Sequence, residues 1–209
     1  MTTTIEEFAD DRGIRSLFHF TRLPNLPSIL ANGLLTKDAC ARAYITPSIN
    51  DSYRYDGTGA ISVTISYPNY RMFYRLRCEN PGVEWVVLKL KRSLLWRTRC
   101  AFSDTNAGDG SVYSIPIGHR QGLAALQSMF GDYRDIERKS LNIPDHYTTN
   151  PQAEVLLLDG AAVDDITGIY FERSATQKQY TALYPDRPCH LNGGFFDGRS
   201  DSAHWKLHG

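Results

Sequence analysis

The chain has 209 residues, and its 23 Lys and Arg are balanced by 23 Asp and Glu, so the formal net charge at pH 7 is zero. Hydrophobic residues make up 42%, enough for a core without disulfide or metal staples, and no stretch approaches the ~20 apolar residues of a membrane-spanning helix. Zero net charge excludes a uniformly basic nucleic-acid coat and leaves local basic patches as the electrostatic option. The four cysteines, Cys40, Cys78, Cys100 and Cys189, contain no Cys-x-x-Cys pair. Free thiols in a reducing compartment are expected, with no zinc site. The acidic start (Glu6, Glu7, Asp10, Asp11) is unlike a signal peptide. A cytoplasmic protein is expected, with a loosely docked leader over 1–13 and a single domain over 14–209.

In chain order, the first strand is expected at 16–20. His19 and Thr21 alternate with Phe18 and Phe20 and leave the strand on the face opposite the aromatics. Leu26, Ile29 and Leu30 share one helix face and Gly33 is a natural stop, which predicts a helix over 26–31. Segment 50–59, with Tyr53, Arg54, Tyr55 and Gly57-Thr58-Gly59, reads as a loop, functional or disordered, before a strand at 60–66. Its Gly-x-Gly lacks a third glycine and precedes a strand, so the dinucleotide fingerprint fails.

A helix at 70–77 carries Tyr70 and Tyr74, a stacking wall for a planar ring, together with Arg71, Arg75 and Arg77. After a strand at 83–90, Lys89, Lys91, Arg92, Arg97 and Arg99 surround Trp96. A second polar loop spans 104–111, a helix 119–130, and a third basic group (Arg134, Arg138, Lys139) lies beside Tyr133. Strands at 153–158 and 167–171 and a helix at 175–184 follow. The tail, 185–209, is rich in Gly, His and Asp and is expected along the surface. Strands do not alternate regularly with helices, which argues for an α+β domain and against a doubly wound sheet.

The segment Asn150-Pro151-Gln152-Ala153-Glu154-Val155-Leu156-Leu157-Leu158 places one carboxylate at the mouth of a strongly apolar strand. Core strands rarely carry Glu unless it is paired; for an arbitrary Glu a solvent-capped strand edge is the plain reading, and the His19 strand and the Tyr-rich helix at 70–77 weigh against it here. Strand alternation points Gln152 the same way.

Taken together, the stretches LFHFTRLPNLPSILANGL (17–34), INDSYRYDGTGAISVTISYPNYRMFYR (49–75) and NPQAEVLLLDG (150–160) resemble the ADP-ribosyltransferase superfamily. Within it they resemble the DarT family, the nucleic-acid-modifying toxins of toxin–antitoxin pairs. The resemblance implies two packed, mainly antiparallel sheets with flanking helices around an NAD cleft. It implies an NAD-dependent transferase that attaches ADP-ribose to a base of single-stranded DNA, with an ADP-ribosylglycohydrolase antitoxin as partner. Segment 50–59 is short and weakly basic and resembles the guanine-modifying branch; thymine is the other acceptor base.

The leaving nicotinamide already carries a positive ring nitrogen, so the protein must instead steady an oxocarbenium-like ribose and present a nucleophile opposite it. In this scheme Glu154 and Arg54 are catalytic. His19, Thr21, Arg54, Tyr70 and Tyr74 bind NAD, and Gln152, Arg71, Arg75 and Trp96 bind the acceptor. No metal or membrane is called for. The alternatives are the same chemistry on RNA or protein, or a catalytically inactive NAD- or nucleic-acid-binding module.

Overall fold

The computed structural model describes residues 2–49 and 58–208. Among these, seven strands form a mixed sheet: β1 (Ser16–Arg22), β2 (Ile61–Ile65), β3 (Trp85–Lys91), β4 (Cys100–Ser103), β5 (Glu154–Leu157), β6 (Ile166–Phe171) and β7 (Cys189–Leu191), in the order β4-β5-β2-β1-β3-β6-β7. Every neighbouring pair is antiparallel except β6 and β7, which run parallel. Around it lie α1 (Ile5–Asp11), α2 (Leu26–Asn32), α3 (Lys37–Arg42), α4 (Tyr70–Glu79), α5 (Leu94–Arg97), α6 (Gly110–Tyr113), α7 (Gly122–Ser128), α8 (Ser174–Leu183) and α9 (Ser202–His208). The domain is α+β, with helices flanking the sheet.

The two antiparallel halves expected as separate packed sheets are hydrogen-bonded into one sheet through a very short seam. β1 pairs with β3 along its whole length, from Ser16 opposite Lys91 to Arg22 opposite Trp85. It meets β2 only at Leu17 opposite Ile65 and Phe18 opposite Thr64. Past Phe18 the two halves diverge, and the gap between them becomes a cleft.

Alternation along β1 decides what lies on each side. Leu17 is fully buried in the main core with Val86, Leu88, Leu90, Val155, Leu157 and Ile169. Phe18 faces a second, aromatic cluster with Phe73, Trp85, Val87 and Phe196. His19 and Thr21 continue the Leu17 face beyond the edge of the core, which delivers two polar side chains to the cleft.

Three expectations need correction. The leader is docked: Thr4 and Glu7 form a capping box that starts α1, and Phe8 and Ala9 are buried in the main core. Phe8 meets Phe130 edge-on at a centroid distance of 5.3 Å, and two apolar side chains of this kind outweigh the acidic character of the segment. The helix expected over 119–130 is interrupted because Gly122 takes a φ of +83°. A 3-10 turn (Ile117–Arg120) precedes it and α7 follows.

The tail is not a surface strap. It supplies β7 and α9, and it buries Phe196, Arg199, Asp201 and Trp205. The Arg199 and Asp201 side chains are 2% and 1% exposed, and Trp205 Nε1 donates to Asp201 Oδ2 at 2.8 Å. Pairing lets two charges enter a region that composition assigns to solvent.

This pair has a pH signature. Burial alone raises the Asp201 carboxyl, but hydrogen bonds from Arg199 and Trp205 and the Arg199 charge outweigh it and hold the group below its ordinary value. A carboxylate depressed in the folded state stabilises fully above its unfolded range, and that contribution is lost as pH falls through the depressed value. Thermal melts of the wild type and Asp201→Asn at stepped pH are expected to show a wild-type advantage at neutral pH that shrinks in acid. An advantage that stays constant down to the lowest pH would remove Asp201 as its source.

Candidate active site

Glu154 opens β5 and is 5% exposed. The turn before it is built by Asn150, whose Oδ1 accepts the Gln152 N–H at 2.9 Å while its carbonyl accepts the Ala153 N–H at 3.1 Å. The strand therefore begins at Glu154, opposite Ser103 of β4. The Glu154 carboxylate accepts the Ala107 N–H at 2.9 Å and Asn106 Nδ2 at 3.3 Å. These donors come from loop 104–111, which closes over the carboxylate. Hydrogen bonds of this kind fix the direction of its oxygens.

Across the split in the sheet, His19 Nδ1 lies 2.8 Å from the Ser62 carbonyl of β2. A carbonyl only accepts, so in the neutral ring the proton sits on Nδ1 and the orientation of the imidazole is set. This bond spans the halves where the β1–β2 ladder has ended.

Glu154 and His19 border the same two cavities. The larger, about 630 Å³, also takes in Thr21, Leu34, Ile45 and Met72. The smaller, about 410 Å³, adds Phe20, Arg75 and Glu79. Mainly apolar lining with a few convergent polar groups is the usual form of a small-molecule site. Thr21 Oγ1 accepts from Asn25 Nδ2 at 2.9 Å, and Asn25 in turn bonds the Ser48 main chain at both ends of its amide, tying segment 45–49 to the cleft.

Gln152 does not share a face with Glu154, because residue 152 lies in the turn rather than in the strand. It borders a third cavity of about 720 Å³ with Arg71, Tyr133, Asn150 and Trp205. Asn150 is 2% exposed and its Nδ2 has no hydrogen-bond partner among the described residues.

The remaining sequence candidates divide. Arg75 lines the smaller Glu154 cavity, while its guanidinium stands 3.8 Å from Glu79. Tyr70 and Tyr74 do not border the Glu154 cavities: helix geometry turns that face of α4 away and presents Met72 instead. Tyr74 is 67% exposed. Tyr70 is half-buried, and burial pushes its phenol up to about 12. Trp96 packs against the main core beneath the Arg92 guanidinium and borders none of these cavities. Arg54 lies outside the described residues. Sequence reasoning missed Asn106, Ala107 and Met72; the Asn-Ala-Gly turn of loop 104–111 was the available signal for the first two.

The family described as ssDNA thymidine ADP-ribosyltransferase, DarT, matches residues 18–191. The chain belongs to the DarT family. NAD-dependent transfer of ADP-ribose to DNA is thus the chemistry of its family. No curated protein matches the chain.

Among solved structures, Thermosipho africanus DarTG in complex with ADP-ribose is similar in fold, with a TM-score of 0.60 at 17% identity over 87% of this chain and 51% of that one. This DarT member thus spans about half the length of that relative. Thermus sp. 2.9 DarT in complex with NAD+ matches with a TM-score of 0.55 at 13% identity, covering 88% of this chain and 98% of that one. Thermus sp. 2.9 DarT in complex with ADP-ribosylated ssDNA gives 0.56 at 13%, covering 88% and 97%. Among the described residues, no cluster of three or more His, Cys, Asp or Glu is placed to hold a metal ion, and no helix is long and apolar enough to cross a membrane.

Proposed function

We propose that this DarT member transfers ADP-ribose from NAD+ to a base of single-stranded DNA, with Glu154 as the catalytic carboxylate. The observation that carries this reading is a buried carboxylate, aimed by the Ala107 N–H, on a cavity of about 630 Å³ that it shares with His19. That volume and its lining fit an extended dinucleotide. The Thermus sp. 2.9 DarT structures with NAD+ and with ADP-ribosylated ssDNA support the same reading.

NAD+ supplies an activated glycosidic bond, and the protein supplies position and charge. Glu154 binds a hydroxyl of the nicotinamide ribose, offsets the positive charge that grows on that sugar and takes the proton of the incoming base nitrogen. His19 orients ribose and Thr21 lies on the nicotinamide side. Arg54 is assigned to the pyrophosphate, for which a planar fork of donors is suited. The acceptor strand lies on the side of Gln152, Arg71 and Arg75, and its base enters unpaired, since a base inside a duplex cannot reach a cleft.

Guanine is the proposed acceptor, on the short, weakly basic segment 50–59; thymine, named in the family description, is the alternative. The proposal includes a cytoplasmic toxin restrained by an ADP-ribosylglycohydrolase antitoxin, and the similarity to a DarTG protein supports it. Growth arrest on expression, relieved by Glu154→Ala, is the expected result.

The deciding experiment offers labelled NAD+ with single-stranded DNA, matching RNA and a protein extract in parallel. Label should enter DNA with the wild type and not with Glu154→Ala, and mass analysis of the nucleosides names the base. Label entering RNA or protein alone would overturn the DNA assignment. NAD+ binding without transfer to any acceptor would mark an inactive binding module.

His19→Ala should raise the KM for NAD+ by about tenfold, the worth of one hydrogen bond of roughly 1.5 kcal/mol. An unchanged KM would take His19 out of the NAD site.

A further inference from the structure

We infer that the buried Arg199–Asp201 pair of the C-terminal segment is a positioning device for the catalytic turn, holding residues 148–154 so that Glu154 meets its substrate in a fixed geometry. The inference rests on Glu154 being the catalytic carboxylate. It begins from a main-chain problem. Thr148, Thr149 and Asn150 are 3%, 1% and 2% exposed, yet no strand or helix spans 142–153 to satisfy their carbonyls. Buried carbonyls need donors from elsewhere.

Arg199 provides them from fifty residues downstream. Its Nη1 donates to the Thr148 carbonyl at 2.9 Å and its Nη2 to the Thr149 carbonyl at 3.2 Å. The remaining edge of the guanidinium, Nε, donates to Asp201 Oδ1 at 2.8 Å. The same guanidinium lies 5.0 Å over the Tyr147 ring. From the other side, Arg138 donates to Thr149 Oγ1 at 3.0 Å and to the Pro144 and Asp145 carbonyls, each at 3.1 Å. The Thr148 hydroxyl then bonds the Asn150 carbonyl at 2.9 Å, and the Asn150 side chain fixes the Gln152 N–H. An unbroken path of hydrogen bonds runs from the C-terminal segment to the turn that aims Glu154.

The chemistry of the pair suits this role better than it suits stability alone. A buried ion pair often gains little over an apolar replacement of the same volume. Its distinct property is directional: a planar fork serves two carbonyls and a carboxylate at once, which an ammonium on a flexible stem cannot do. Asp201 is itself held by Trp205, and Trp205 packs beneath Arg71 and against Tyr133 at the Gln152 cavity. The clamp therefore links the catalytic turn to the wall of the proposed acceptor side, and it leaves the His19 and Thr21 side of the NAD cavity untouched.

The test uses the full chain with Arg199→Lys, Asp201→Asn and, in parallel, Glu154→Gln. Near-UV circular dichroism reports folding, calorimetry the Kd for NAD+, and labelled NAD+ with single-stranded DNA the kcat and KM of transfer. The folded Arg199→Lys variant should bind NAD+ within about twofold of the wild type while its kcat drops on the order of 100-fold, the loss expected from an ångström-scale misplacement of a catalytic group. Asp201→Asn should show the same split with a smaller drop. A folded Arg199→Lys variant with wild-type kcat overturns the inference. So does a set in which every variant that loses transfer has also lost its near-UV signal, because the pair is then a stability element only. Transfer by folded Glu154→Gln within tenfold of the wild type overturns the reading of Glu154 itself, whatever the clamp variants do.

Discussion

Glu154→Gln should leave the protein folded and reduce ADP-ribosyl transfer by about 100- to 1,000-fold, the range for removing one preorganised electrostatic group from an active site. Glutamine has the same shape, and its amide oxygen can keep accepting the Ala107 N–H that Glu154 accepts at 2.9 Å. Its NH₂ would face Asn106 Nδ2, another donor, so one hydrogen bond is lost. That loss is worth about 1 kcal/mol, a drop of roughly 3 °C in Tm for a chain of this size. The catalytic loss is far larger because the negative charge itself is gone from the place where positive charge grows on the ribose. Single-turnover transfer with labelled NAD+ measures it. A folded variant transferring within tenfold of the wild type would remove Glu154 from the chemistry.

Gly160→Ala should lower stability by about 3 kcal/mol or more and weaken NAD+ binding with it. Gly160 sits at a φ of +76°, and a Cβ there would stand 2.2 Å from the Leu34 carbonyl oxygen. That carbonyl accepts the Ala161 N–H at 3.0 Å, while Leu34 N–H bonds the Ala161 carbonyl at 2.8 Å. The added methyl would push this bridge apart, and Leu34 lines the larger Glu154 cavity, the one proposed for NAD+. Gly13 is the control: its φ is +67° and nothing lies within 4 Å of a Cβ there. Gly13→Ala carries only the left-handed backbone cost, about 1 kcal/mol. Equal losses in the two variants would show that backbone strain, not the clash with Leu34, sets the effect. A Tm about 10 °C below wild type is expected for Gly160→Ala.

Much of the fold was legible because its central strands carry long apolar runs. β1, β2, β3, β5 and β6, together with α2, α4 and α8, lie where apolar spacing and stop residues place them. β4 was missed because Cys100-Ala101-Phe102-Ser103 is too short to show alternation and is buried on both faces. α9 was missed because a segment reading Ser-Ala-His-Trp-Lys-Leu-His has little apolar periodicity. What docks it is the burial of Trp205 against the Arg199–Asp201 pair, which no local window reveals. Glu154 could be singled out as a carboxylate against an apolar run. Its donors could not, since Asn106 and Ala107 come from a loop nearly fifty residues earlier. The Gln152 expectation failed for a local reason: strand alternation was extended into a turn that the Asn150 side chain had already closed.

The position of Arg199 also bears on the order in which the molecule is built. A chain growing from its N-terminus acquires His19, Ser62 and Glu154 well before it acquires the guanidinium that holds the Thr148 and Thr149 carbonyls. Until the C-terminal segment emerges, the Thr148 and Thr149 carbonyls have no donor from it and turn to water. Synthesis can therefore lay down every residue around the cleft and still leave the turn before Glu154 loose until Arg199 and Asp201 have emerged.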